Sequence, residues 1–324
     1  MCFVRECRDG AVVLTTYGRS SGFCIDPIEK KPLNHFLPGT PVLSFGTAGC
    51  NLACRFCQNW NISASRRTDT LADRADPATI AEAAHANGCR SVAFTYNDPV
   101  IFLEYAVDVA RACHDVGVKT VAVTAAEINP KPAREFFSVI DAANVDLKSF
   151  SDDFYRRLCR GRLQPVLDTL VYLAHETKVW LEITTLLIPG ENDSNDEIGA
   201  LAEWVHEKLG PHIPLHFSAF HPAFQLADHP NTPPETLRRA RRIALDAGLH
   251  YVYTGNVHDR EGDTTTCATC GMTLIVRDWY RLVRWNLSED ARCPRCRTRC
   301  PGVFEAKPGT WGARRQPIRL ADFG

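Results

Sequence analysis

The chain has 324 residues, 45% hydrophobic and 23% charged, with a net charge of −1. That length allows one large core with a small appended unit, and the near-zero charge excludes a whole-molecule drive toward nucleic acid or membrane. No apolar run is long enough to cross a bilayer, and the start lacks a basic-then-apolar export segment. The 14 cysteines therefore read as metal ligands and buried thiols of a cytoplasmic protein, not as a disulfide framework.

Residues 1–40 read as a polar lead-in, with turn signals at Asp9-Gly10 and Pro38-Gly39. Short β-rich runs follow at Val42–Gly46, Ser91–Thr95, Lys119–Thr124, Asn144–Leu147, Trp180–Ile188 and Leu215–Phe220, with a seventh candidate at Tyr251–Thr254. Helical patterns lie between them at Pro77–Asn87, Val100–Val116, Pro132–Ile140, Pro165–Glu176, Ser194–Lys208 and Pro234–Ala247. The alternation predicts an α/β fold with a parallel sheet, either doubly wound or a full or partial β/α barrel over 41–254. In either form functional groups gather at the carboxyl ends of the strands. Cys50, Asn97-Asp98, Thr124, Lys148 and His221 all stand at such ends.

The polar stretch 255–266 reads as a linker. Beyond it, Cys267-x2-Cys270 and Cys293-x2-Cys296 are two metal knuckles 22 residues apart. Together they predict a small four-cysteine metal ribbon over 267–304, holding Zn2+ or a rubredoxin-like mononuclear iron as a staple for a core too small to stand alone. Cys300 is a spare that either replaces Cys296 or stays a free thiol. Cys2, Cys7, Cys24, Cys89, Cys113 and Cys159 lack ligand spacing and read as ordinary thiols. From Ala291 to Gly324, eight Arg/Lys face two Asp/Glu, so 305–324 reads as a basic tail, either solvated or an RNA handle.

The most specific pattern is Cys50-x3-Cys54-x2-Cys57 on one short loop after the first strand. Three thiolates hold three irons of a cubane cluster and leave the fourth iron open for a small molecule. A structural zinc site would want a fourth ligand nearby, and the rest of the loop contains neither Cys nor His.

This spacing, with Phe56 just before the last Cys, resembles the radical S-adenosylmethionine (SAM) superfamily. The resemblance implies a partial (β/α)6-type TIM barrel, a 4Fe-4S cluster whose open iron chelates SAM, and reductive cleavage of SAM to a 5′-deoxyadenosyl radical that abstracts hydrogen. Asn97-Asp98-Pro99 sits where relatives carry Gly-Gly-Glu-Pro against the SAM ammonium, with Asp98 one methylene short of Glu. Asp146-Leu147-Lys148 resembles an Asp-x-Lys by the SAM site of glycyl-radical-enzyme activases. Leu187-Ile188-Pro189-Gly190 resembles their loop after the fifth strand, and Phe220-His221 resembles a Phe-His pair by the adenosyl group. His221 is thus expected to position the cofactor, while His216 is expected to be simply hydrogen-bonded in place. Thr124 is expected at the site as well, although Ala125-Ala126-Glu127 replaces the Asn-Gly-Tyr that often follows it.

The strings Asp26–Leu33 and His35–Gly39, with Cys57-Gln58-Asn59-Trp60 and the cysteine pairs, are similar to the radical SAM member of the AmmeMemoRadiSam set, itself similar to pyruvate formate-lyase activating enzyme. Lys30 and Lys31 read as solvated, with contact to a partner or to the SAM carboxylate as the alternative. The implied partners are an electron donor such as flavodoxin or ferredoxin and AMMECR-type and Memo-like proteins. Three readings follow: an oxidoreductase acting on a protein, one acting on RNA or a small metabolite, and a non-catalytic iron–sulfur redox sensor.

Overall fold

The computed structural model describes residues 4–64 and 73–320, so Cys2 and the last four residues of the basic stretch lie outside the described residues. Seven strands run parallel: β1 (Pro41–Phe45), β2 (Ser91–Phe94), β3 (Lys119–Thr124), β4 (Ala142–Asp146), β5 (Trp180–Leu187), β6 (Leu215–Ala219) and β7 (Val252–Gly255). They neighbour one another strictly in chain order. A doubly wound sheet reverses its order at a switch point; this sheet never does, which makes it a partial barrel. The seventh candidate strand is present as β7.

The helices are α1 (Pro77–Ala86), α2 (Leu103–Asp115), α3 (Pro130–Phe137), α4 (Leu163–Glu176), α5 (Asn195–Lys208) and α6 (Pro234–Asp246). Their starts follow local chemistry. Asp76 caps α1 by accepting from Thr79 N at 2.8 Å, with Pro77 in the first turn. Ser194 caps α5 by accepting from Glu197 N at 3.2 Å. The Glu197 carboxylate in turn accepts from Phe150 N at 2.9 Å and from the Ser149 hydroxyl, tying α5 to the loop after β4. α2 buries Ala106, Val107, Val109, Ala110 and Cys113 against the sheet, as its amphipathic pattern requires.

The polar lead-in and the basic tail both prove to be part of the sheet. Phe23–Pro27 pairs antiparallel with β1, and Gln316–Ile318 pairs antiparallel with Phe23–Pro27. Phe23, Ile25, Ile28, Leu33 and Phe36 are buried, so the segment carries a hydrophobic stripe between its charges. Lys31, read as solvated, is only 3% exposed. Its charge is matched by Asp26, 2.8 Å away, and a paired charge is one that burial tolerates.

After Lys31 the chain crosses the barrel at the amino ends of β4 and β5. Asn144 Nδ2 donates to Pro32 O at 2.7 Å. Glu182, fully buried on β5, accepts from Asn34 N at 3.0 Å, His35 N at 2.8 Å, Trp180 Nε1 at 3.0 Å and His216 Nε2 at 2.6 Å. Burial would raise this carboxyl, but His216 and the other donors outweigh it and hold it below the usual carboxylate range. His35 reaches Pro301 O at 2.7 Å and Tyr253 Oη at 2.6 Å, and burial pushes its imidazole down to about 4.

The expected linker is also packed. Thr265–Thr266 already forms a strand beside Thr273–Asp278, which pairs in turn with Arg281–Trp285. From this small sheet the fully buried Arg277 donates to Asn34 O at 2.7 Å, Asp263 O at 3.1 Å and Thr265 Oγ1 at 2.9 Å. The sheet carries its own core of Leu274, Ile275, Leu287, Cys293 and Cys300.

Replacing Glu182 by Ala strands four buried donors. Unfolding free energy should fall by about 3–5 kcal/mol, measured by denaturant titration. A loss under about 1 kcal/mol would show that the carboxylate does not tie these segments together.

Candidate active site

β1 ends in a loop that carries Cys50, Cys54 and Cys57, and neighbouring segments fix that loop from several sides. Gly46 leaves β1 where a Cβ would collide with Thr95 O and Asn97 Oδ1, so only glycine fits there. Asn97, from the end of β2, accepts from Thr47 N at 2.9 Å, donates to Gly49 O at 2.6 Å and reaches Thr47 Oγ1 at 3.3 Å. Asn51 Nδ2 donates to Glu127 O at 3.0 Å in the loop after β3. Ala53 N and Arg55 N donate to Cys159 O and Leu158 O, both at 2.9 Å. Those two acceptors belong to a single π turn, Tyr155–Cys159, a form that often accompanies functional sites. Gln225 N donates to Arg55 O at 2.9 Å from the loop after β6.

The loop borders a cavity of about 560 Å³ inside the barrel, whose lining includes all three cysteines together with Asn97, Asp98, Thr124, Asp146 and Lys148. Asp98 is buried and accepts from Thr124 Oγ1 at 2.9 Å, Ala125 N at 2.7 Å and Val100 N at 3.1 Å. Its carboxylate therefore ties β2 to β3. Burial raises its pKa against those donors. The substituted loop keeps a tight turn: Ala126 takes φ +54°, a conformation glycine adopts more cheaply, and its N–H donates to Thr124 Oγ1 at 2.9 Å.

Lys148 Nζ pairs with Asp146 at 2.9 Å. Burial alone would lower the ammonium, but Asp146, Cys54 and Cys159 outweigh it and hold it well above the ordinary lysine value. The strand end beneath it is pinned by Asn192 Nδ2, which donates to Lys148 O at 2.7 Å and to Leu186 O at 2.9 Å. Asn192 thus gives the Leu187–Asp193 element its architectural role.

His221 is not brought to this cavity. It is exposed and bonds Asn231 Oδ1 at 2.9 Å, because the chain leaves the barrel after Phe220. The expectation that it positions a cofactor gains no support from this placement. His216, earlier on β6, points inward, lines the cavity and is held by Glu182. Cys159, read as an ordinary thiol, is fully buried beside Cys54. Nothing local in the sequence marks it, since the contact is made by the π turn.

The two cysteine groups differ in spread. Among the described residues, Cys267, Cys270, Cys293 and Cys296 have ligand atoms within 4.8 Å of one another, the grouping expected for a single ion. Cys300 stands outside this group, its Sγ 3.9 Å from His35 Nδ1. Cys50, Cys54 and Cys57 do not form such a tight group. A cluster of several irons holds its thiolates further apart than one ion does, and the loop residues fit it. Burial and the neighbouring Asp98 push the Cys50 thiol up to about 12.

The sequence pattern of the Radical SAM superfamily matches residues 45–205. The chain is 39% identical over 296 residues to an uncharacterized protein of Methanocaldococcus jannaschii, covering 91% of this chain and 88% of that one. It is 22% identical to the 4-hydroxyphenylacetate decarboxylase activating enzyme of Clostridioides difficile, over 74% of this chain and 80% of the enzyme. Among solved structures, Streptococcus suis SuiB bound to precursor peptide SuiA aligns with a TM-score of 0.54 and 17% identity, over 71% of this chain and 52% of SuiB. A radical SAM methyltransferase from Sphaerobacter thermophilus aligns with a TM-score of 0.51 and 20% identity, over 74% and 71% of the two chains. No helix among the described residues is long and apolar enough to cross a membrane.

Two substitutions separate the metal groups. Asn97→Ala frees one end of the cysteine loop, so iron per chain should fall severalfold while the C-terminal metal is retained. Cys293→Ser should do the reverse. Elemental analysis of anaerobically purified protein reads both, and loss of both metals together in either variant would contradict two independent sites.

Proposed function

The chain belongs to the radical SAM superfamily, and on that premise we propose that it is an oxidoreductase that abstracts hydrogen from a polypeptide substrate held in the barrel cavity. The observation that carries the reading is the placement of Cys50, Cys54 and Cys57 on the wall of the same cavity as Asp98, Asp146 and Lys148. When bound, the 4Fe-4S cluster and SAM supply an electron transfer that yields methionine and a 5′-deoxyadenosyl radical.

The chain's own residues bind, orient and enclose. Cys50, Cys54 and Cys57 would hold the cluster, three thiolates for four irons. Lys148, fixed by Asp146 and close to Cys54, offers a cation to the carboxylate of SAM. Thr124 and Asp98 would supply the polar edge for the SAM ammonium, and Asn97 would act through the cysteine loop as a positioning residue. His216 takes the inward place on β6 that His221 lacks. An electron donor of the flavodoxin or ferredoxin kind completes the cycle. Zn2+ suits the C-terminal four-cysteine group, where it acts as a staple rather than a reactant.

Two surface features support a polypeptide substrate. Trp60, three residues from Cys57, is 48% exposed and stacks on Phe224 with ring centres 5.5 Å apart. Trp279 lines the cavity, is 47% exposed and stacks on His258 at 5.9 Å. Half-exposed, pre-ordered aromatics of this kind are favoured anchors at protein interfaces. The activating enzyme and the peptide-bound SuiB among the similar proteins favour the same class. The finer likeness to the AmmeMemoRadiSam set makes AMMECR-type and Memo-like proteins the first candidates to test.

Anaerobic reconstitution with iron, sulfide, SAM and a strong reductant should yield 5′-deoxyadenosine, and Cys54→Ala should abolish it. A deuterated candidate partner should pass its label into that product. A fully loaded cluster that forms no 5′-deoxyadenosine would sink the enzymatic reading in favour of a redox sensor.

A further inference from the structure

Another part of the cavity wall gathers positive charge around one carboxylate. Asp26, fully buried on the strand beside β1, accepts from Lys30 Nζ at 3.1 Å on Oδ1 and forms an ion pair there with Arg315 Nε at 3.4 Å. Its Oδ2 accepts Lys31 Nζ at 2.8 Å and Tyr96 Oη at 3.2 Å. The Lys31 ammonium also lies 5.7 Å from the centre of the Tyr96 ring. Lys30, Lys31, Arg315, Tyr96 and Tyr280 all line the cavity.

Three cations thus surround a single anion, a surplus of two charges. The acids nearest to them do not remove the imbalance. Glu29 and Asp263 are buried beside Arg277, and burial, opposed by that arginine, pushes Glu29 up to about 7 and Asp263 up to about 6. Even with both ionised, four cations face three carboxylates.

Converging like charges repel, and a partly buried cation without a matching anion is costly. The donors are also underused. Of its five donors Arg315 sets one against Asp26, and Lys30 gives Asp26 one of its three. Arg315 is 64% exposed and Lys30 26%, so their remaining donors are open to a ligand, while the Asp26–Lys31 pair behind them is rigid.

We propose that Lys30, Lys31 and Arg315 form a recognition site for an anionic group, a phosphate or a carboxylate, carried by the substrate. That the anion belongs to the substrate rests on the reading above, in which Lys148 already serves the carboxylate of SAM; the anion site itself does not depend on that reading. Tyr96 links the two regions, since it immediately precedes the Asn97-Asp98 pair at the cysteine loop. An anion held here is therefore anchored in the same cavity as the open iron.

Calorimetric titration of the full chain with inorganic pyrophosphate and, separately, with malonate tests the site. At least one should bind with one site per chain, and the stronger identifies a phosphate-bearing or a carboxylate-bearing substrate. The double variant Lys30→Gln, Arg315→Gln, on partly exposed side chains, should weaken that binding by about tenfold or more. Asp26→Asn removes the competing carboxylate and should tighten it severalfold; should that variant fail to fold, the double variant decides. No binding of either anion, or equal affinity in the double variant, overturns the proposal. The titration needs no cluster, so failure to bind anions is told apart from failure to form 5′-deoxyadenosine.

Discussion

The architecture depends on a charge that never meets water. Glu182 sits on β5 inside the barrel, and its four donors come from the lead-in, from its own strand and from β6. A buried carboxylate costs several kcal/mol unless it is fully paired. Its demand for partners holds residues 34–35 across the amino ends of the strands. With the lead-in fixed there, His35 and Asn34 become attachment points for Pro301, Tyr253 and Arg277. One desolvated anion thus joins the lead-in, the barrel and the C-terminal unit around a common interior.

On the other side of the cavity the same logic works through backbone groups. The cysteine loop has few apolar residues to pack, and its shape is dictated by hydrogen bonds from the loops after β2, β3 and β6 and from the π turn after β4. Side chains that look like cofactor ligands in a linear reading are partly occupied in this bracing. Asn97 and Asp98 shape the pocket through their own neighbours before they meet anything bound in it.

The parallel strands and their helices are legible in the sequence because each is a run of Val, Ala, Ile or Leu with the right period between turn residues. The cysteine spacings are legible because metal chemistry fixes them locally. The lead-in and the tail are not, because Asp26, Lys31, His35 and Arg315 are polar residues whose placement depends on contacts that hydropathy does not register, several of them far away in sequence. Patterning assigns such residues to solvent. His216 is hydrogen-bonded in place by Glu182, as a lone strand histidine is expected to be, whereas the exposure of His221 follows from where β6 ends, a boundary that sequence patterning locates only to within a few residues. Cys159 stays hidden because a helix that widens for one turn leaves no periodic mark.

The outermost strand has a bearing on how the protein is made. Gln316–Ile318 closes the edge left open by Phe23–Pro27, so the earlier strand waits for a partner translated far later in the chain. Until then an unpaired backbone edge is available to other nascent chains, and a contact so distant in sequence slows final closure. Arg315, adjoining that last strand, arrives with it. The cavity therefore gains its full complement of charge only once Gln316–Ile318 has docked, and a barrel lacking that strand would be both sticky and electrostatically incomplete.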